Sequence, residues 1–309
     1  MSKIQTVLGS INQEDLGVTY CHDHLLFRPP APFDSTDPDL RLDDIEKIIR
    51  EVNYFKLAGG NCIVEMSTIE MGRDPVGMKT ISEVAGIHII AATGFNKGKF
   101  CDPVVADQSI DQISSNMVID LERGMDGTTI KAGLIKASSS QDKFTASEEK
   151  VFQAAIKAHL QTGAPISTHT EAGTMALDQI EILTKGGVKP KHIIIGHLDR
   201  KLDWDYLHTI ARTGVFMSFD QVSKEKYYPD SERISMIIRL IKAGHGHLIM
   251  LSGDIARKSY FPSFGFGNGP GFTYILWRFI PWMLESGIST EMVNSILIRN
   301  PSQAFAWAQ

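Results

Sequence analysis

A (β/α)8 TIM barrel is the α/β fold this sequence predicts, on three observations. Eight short runs rich in apolar or β-branched residues recur along 309 residues. Amphipathic stretches with apolar residues three to four apart separate most of them, and several of those stretches close on a glycine. Runs such as HIIIGH and HLIMLSGD lack polar alternation, which argues for strands covered on both faces. The competing fold, an open doubly wound sheet, usually carries a nucleotide fingerprint. Here no G-x-G-x-x-G opens a helix after an early strand, and no G-x-x-x-x-G-K-[ST] occurs.

In chain order, the first run covers 17–25 and is followed by a helical stretch over 42–60 that ends at Gly59. The second and third runs cover 61–67 and 87–95. A helix over 109–125 leads to the fourth run, 130–137, and a helix over 147–163, capped by Gly163, leads to the fifth, 165–170. Helices over 174–187, 202–214 and 231–244 then alternate with runs over 192–199, 215–221 and 247–254, with Gly186, Gly214 and Gly244 at the helix ends. No run of Pro, Gly, Ser or like charge is long enough to be a linker, so residues 1–309 read as a single barrel domain.

Composition narrows the function classes. With 43% hydrophobic and 22% charged residues the chain is of globular type. A net charge of -5 gives no general attraction to nucleic acid or to an anionic membrane. Three widely spaced cysteines, Cys21, Cys62 and Cys101, suggest neither a disulfide framework nor a zinc ribbon. The amino terminus lacks the apolar stretch of a signal peptide, and no segment approaches the ~20 apolar residues of a membrane span. A soluble cytoplasmic protein is expected, with no nucleic-acid or membrane partner.

The ionisable residues fall at carboxyl ends of strand runs, which in a barrel converge on one face. His22 and His24 close the first run, Lys136 the fourth, His169 the fifth, His197 lies near the end of the sixth, and Asp254 ends the eighth. Four imidazoles and a carboxylate suit Zn, Mn, Fe or Co. In His22-Asp23-His24 the two imidazoles, two apart on a strand, point the same way and can share one ion. His88, His159, His192, His208, His245 and His247 lie at strand starts, on helices or in a Gly-rich turn and read as structural or solvated. Lys136 reads either as a solvated strand-end lysine or as a buried amine, neutral beside metals, that adds carbon dioxide to become a carbamate.

The ordered motifs GVTYCHDHL (17–25), STIEMGRD (67–74), AGLIK (132–136), STHT (167–170), IGHLD (195–199), LSGD (251–254) and a terminal Asn300-Pro301 resemble the phosphotriesterase family of the amidohydrolase superfamily. The resemblance spans nearly the whole chain. It implies a distorted barrel with two divalent metal ions, Zn foremost: His22, His24 and Asp254 on the more buried ion, His169 and His197 on the more exposed one. Lys136 is implied as a bridging carbamate together with a hydroxide, which attacks the substrate while Asp254 shuttles the proton. The sequence departs from many members at Asp23, Glu65 and Asn96; the first two read as supporting residues, the third as part of the substrate pocket.

Basic residues crowd the segments after the strand runs: Lys97 and Lys99, Arg200 and Lys201, Lys224 and Lys226, Arg257 and Lys258, accompanied by Tyr227, Tyr228 and Tyr260. Collected on the metal-bearing rim, they suggest a pocket for an anionic group such as a phosphate. Asn96, Lys97, Gln221, Lys224, Lys226, Tyr228, Arg257 and Tyr260 are the candidate substrate contacts. The glycine-punctuated 263–271 stretch reads as a lid, a pocket wall or an ordinary connection. The function expected is a binuclear metal-dependent lactonase acting on a phosphorylated sugar lactone, with the homodimer common in the family. The alternatives are phosphotriester or acyl-homoserine lactone hydrolysis and, outside enzymes, a metal-free binding protein on the same barrel.

Overall fold

The computed structural model of the chain describes residues 3–31 and 33–308. A short antiparallel hairpin, β1 (Lys3–Thr6) and β2 (Gly9–Asn12), precedes eight parallel strands. These are β3 (Thr19–Asp23), β4 (Cys62–Glu65), β5 (His88–Gly94), β6 (Leu134–Ser139), β7 (Ile166–Thr170), β8 (Ile193–Ile195), β9 (Phe216–Phe219) and β10 (Ile249–Leu251), hydrogen-bonded to one another in sequence order. Helices surround them: α1 (Phe33–Thr36), α2 (Ile45–Leu57), α3 (Pro75–Ala85), α4 (Gly98–Val105), α5 (Ile110–Glu122), α6 (Ala146–Thr162), α7 (Ala176–Lys185), α8 (Trp204–Arg212), α9 (Asp230–Lys242), α10 (Ile280–Glu285), α11 (Thr290–Asn294) and α12 (Asn300–Ala304). None is long and apolar enough to cross a membrane.

Period-two alternation puts apolar residues of the strands on both faces of the sheet. Cys62, Val64, Ile90, Ala92, Leu134, Ile194 and Met250 fill the barrel interior, with Ile4, Leu16 and Phe305 in the same cluster. Their neighbours Ile63, Ile89, Ala91, Ile135 and Ile195 pack outward against the helices. Both faces are therefore dry, as in parallel sheets generally. The barrel is distorted at its seam: no ladder pairs β10 with β3 among the described residues. The amide of Asp254 donates to the carbonyl of His22 at 3.1 Å and the Ser252 hydroxyl to the Asp23 carboxylate at 2.5 Å.

The structure trims and extends the sequence reading. The sixth run shortens to β8 because His197 takes a left-handed backbone, φ 59°, and the eighth begins later, after a 3-10 turn over Gly246–Leu248. The hairpin, α3, α4 and the helices after residue 272 were not legible. In α3 the buried face carries Gly77 and Ser82 while Val76 and Val84 point outward, so the apolar period is broken. Gly94 is a point of close approach: with φ 95°, an added Cβ would sit 2.0 Å from the carbonyl oxygen of Lys136. Only glycine lets β5 run this close to the strand that carries the lysine.

Candidate metal centre

The carboxyl ends of the strands bring the predicted ligands together. His22, His24 and Asp254 offer ligand atoms within 4.8 Å of one another. A second such group is His22, His197 and Asp220, and His169 joins it through Nδ1, 2.7 Å from His197 Nε2. His22 Nε2 and His24 Nε2 lie 3.9 and 3.4 Å from Asp254 Oδ1. Lys136, 1% exposed, sits on β6 between Gly94 and Ser167 of the neighbouring strands, with Nζ donating to the Met66 carbonyl at 2.8 Å. Burial pushes its ammonium pKa down against the pull of Asp254, Glu70 and Glu65.

Two of the imidazoles, those of His24 and His197, are aimed by a hydrogen bond from behind. His24 Nδ1 lies 2.8 Å from the Ser67 hydroxyl and 3.7 Å from Glu65. Glu65 in turn accepts from the amides of Ser67 at 2.7 Å and Leu26 at 3.2 Å. His197 Nδ1 meets Asp220 Oδ1 at 2.5 Å, which directs Nε2 into the centre. Burial alone would raise the Asp220 pKa, but His197 and His22 carry it down to about 2. Asp23 faces the other side of its strand, accepts from the Ile255 amide at 2.7 Å, and is pushed up to about 7 by burial. Sequence reasoning gave Asp220 no role, although the signal was present: it ends the seventh strand run on the same rim as the other ligands.

The donor set fits a pair of divalent cations. His22 Nδ1 lies 3.5 Å from Asp220 Oδ2, which leaves Nε2 to converge with His24 Nε2 on Asp254 Oδ1, as a shared cation requires. Two of the candidate ligands also hold left-handed backbones, His197 at φ 59° and Asp254 at φ 45°, a strain of the kind that collects at functional sites. Because carboxylate partners behind ligating histidines typically affect metal affinity 10–100-fold, Asp220→Asn is expected to lower metal affinity by about that factor. Metal content after dialysis against graded chelator checks it.

A profile of the phosphotriesterase family matches residues 2–305. The chain belongs to the phosphotriesterase family. Family members similar to it include the phosphotriesterase homology protein of Escherichia coli (strain K12), 38% identical over 94% of this chain and 98% of that one. The phospho-furanose lactonase of Mycoplasmopsis agalactiae is 35% identical over 98% of this chain and 91% of that one. A solved lactonase structure from Listeria monocytogenes superimposes with a TM-score of 0.95 at 37% identity, covering all of both chains. The chain is a hydrolase acting on ester bonds, on a (β/α)8 barrel.

The candidate substrate contacts of this phosphotriesterase-family rim divide into groups. Gln221 is buried within the centre, its amide nitrogen 2.8 Å from Asp254 Oδ2 and 2.9 Å from His197 Nδ1. Lys224 Nζ pairs with the same Asp254 oxygen at 2.9 Å. Lys226 Nζ is 3.0 Å from the Tyr260 hydroxyl, and Arg257 is held by Asp37 at 2.8 Å and Asp39 at 3.3 Å. Lys97 is ion-paired with Glu171, itself 3.4 Å from His169 Nε2, and burial brings its pKa to about 8. Asn96 Oδ1 accepts the Lys97 amide at 2.8 Å at the start of α4. Tyr228 offers its carbonyl to Arg233. The 263–271 stretch is tied to α2 by the Ser263 amide on Glu51 at 2.6 Å.

Arg233 organises this loop from behind. Fully buried on α9, it donates to Asp199 at 2.8 Å, Asp230 at 2.9 Å and the Lys224 carbonyl at 3.3 Å. Asp199 in turn accepts the amides of Asp220 and Gln221 at 3.2 and 2.9 Å. Arg233→Met would leave two buried carboxylates unpaired, and breaking a buried pair typically costs about 3–5 kcal/mol. A loss of that size in a denaturant titration is the expected outcome.

Proposed function

We propose that the chain is a binuclear metal-dependent lactonase whose substrate is a phosphorylated sugar lactone. The observation that carries the reading is the cationic cluster after β9 and β10, Lys224, Lys226 and Arg257 with Tyr260, beside the imidazole and carboxylate ligands. The relatives named phospho-furanose lactonase support it, and charged walls suit a polar anion better than the apolar groups of a phosphotriester or an acyl tail.

His22, His24 and Asp254 would hold one cation and His169 with His197 the other, with Lys136 between them once its amine has added carbon dioxide and lost a proton. When bound, such ions supply Lewis acidity toward the ester carbonyl and hydroxide near neutral pH. Asp254 takes the proton released as the attacking oxygen bonds to the carbonyl carbon and returns it to the leaving ring alkoxide. Lys224 and Gln221, both on Asp254 Oδ2, hold that carboxylate in place. Lys226, Tyr260 and Arg257 receive the phosphate, for which Arg257 exchanges Asp37 and Asp39.

The test compares kcat/KM on a furanose lactone with and without its phosphate. Two charge-assisted hydrogen bonds are worth roughly a 10²-fold preference or more. Equal rates on the two substrates would remove the anion pocket from the reading.

A further inference from the structure

A cavity of about 710 Å³ lies at the other end of the barrel. Its walls come from residues at the amino ends of strands: Gly163 before β7, Lys189, Lys191 and His192 before β8, and Phe216, which opens β9. Trp307, from the segment after α12, completes it. The metal ligands occupy the carboxyl ends, so the barrel itself separates the two places.

Three features distinguish this cavity from a surface dip. Its charge is of one sign: Lys189 and Lys191 line it and no Asp or Glu is among its described lining residues, in a chain whose net charge is -5. It holds an unsatisfied buried group: His192 is 7% exposed and its Nδ1 has no hydrogen-bond partner, while its ring lies 5.5 Å from that of His159. Its walls are fixed. Trp307 Nε1 donates to the Gly133 carbonyl at 2.9 Å, the Ala308 amide to Gly163 at 2.7 Å, and His159 Nδ1 to the Ala164 carbonyl at 2.7 Å.

Lys189 and Lys191, both solvent-exposed, would repel a cation, and an apolar ligand would leave the buried His192 Nδ1 without a partner. An oxyanion satisfies all three at once, accepting from the lysines and from an imidazole N–H. We propose that this cavity is a second binding site, separate from the metal centre, for a small metabolite bearing a phosphate or carboxylate group, held by Lys189, Lys191 and His192. The proposal does not depend on what the metal centre hydrolyses.

Titration of the full-length protein with inorganic phosphate and, separately, with citrate tests it, followed by calorimetry and by the ¹⁵N resonances of the histidine rings. To keep the metal-bearing rim from contributing, the titrations are repeated on Lys226→Ala/Arg257→Ala. Binding of at least one anion that survives in that variant, and that shifts the His192 and His159 resonances, is expected. Lys189→Glu/Lys191→Glu should weaken it at least tenfold while hydrolysis by the metal centre stays within twofold of the parent. Phosphate binding tighter than citrate, or the reverse, assigns the group. Absence of binding in the rim variant, unmoved histidine signals, or binding indifferent to the charge reversal would each overturn the proposal.

Discussion

Lys136→Ala is expected to lose both its metals and its turnover. The side chain is 1% exposed, and its charge acts on the candidate ligands His22, His24 and His169. A lysine kept as an ammonium there would oppose cation binding, and its removal would then raise metal content. A lysine converted to a carbamate contributes an anion, and its removal strips the site. The two readings thus predict opposite changes in metal content. Acetate or propionate, small enough to enter the space left by the side chain, should restore part of the activity. Elemental analysis and kcat with and without added acid give the answer; a variant that keeps its metals and its rate would end the carbamate reading.

Asp254→Asn is expected to lower kcat by about 10²–10⁴, the range typical of a lost general acid or base. Asparagine is the informative replacement because it tolerates the left-handed backbone that Asp254 holds at φ 45°, whereas alanine would add strain. The amide can still accept from Gln221 and Lys224, so the local network persists. Rate and metal occupancy are read together. A fall in kcat at full occupancy assigns the proton transfer to this carboxylate, and a fall that only tracks occupancy assigns it ligation alone.

Much of the barrel was legible because its eight strands are buried on both faces and bounded by helices with ordinary end signals. The hairpin before it was not, since Gly9–Asn12 buries no residue and Lys3–Thr6 only two, so neither strand carries an apolar run. At the metal-bearing rim, the residues read from the sequence stood at strand ends, where topology alone makes them neighbours. Asp220 stood there too, but its role is to hold the His197 imidazole, a contact between two strand ends that no local pattern marks. Arg233 and Asp199 were beyond reach for another reason: their pairing joins a helix to a loop 34 positions away, and nothing local in either segment marks the partner. The basic residues of the rim were visible as a group, but Asp37, Asp39 and Glu171, which engage two of them, lie on other loops.

The seam of the barrel couples what the protein binds to how it holds together. The first and last strands meet without a ladder, through Ser252 on Asp23, 229 positions apart, and through the Asp254 amide on the His22 carbonyl. His22, His24 and Asp254 flank that joint, so a cation shared by them would act as a staple between the first and last strands of the barrel. Loading then tightens the place where a closed cylinder would otherwise unzip. Amide protons of Thr19–Asp23 and Ile249–Leu251 should accordingly exchange faster after chelation, ahead of those on β5 and β6.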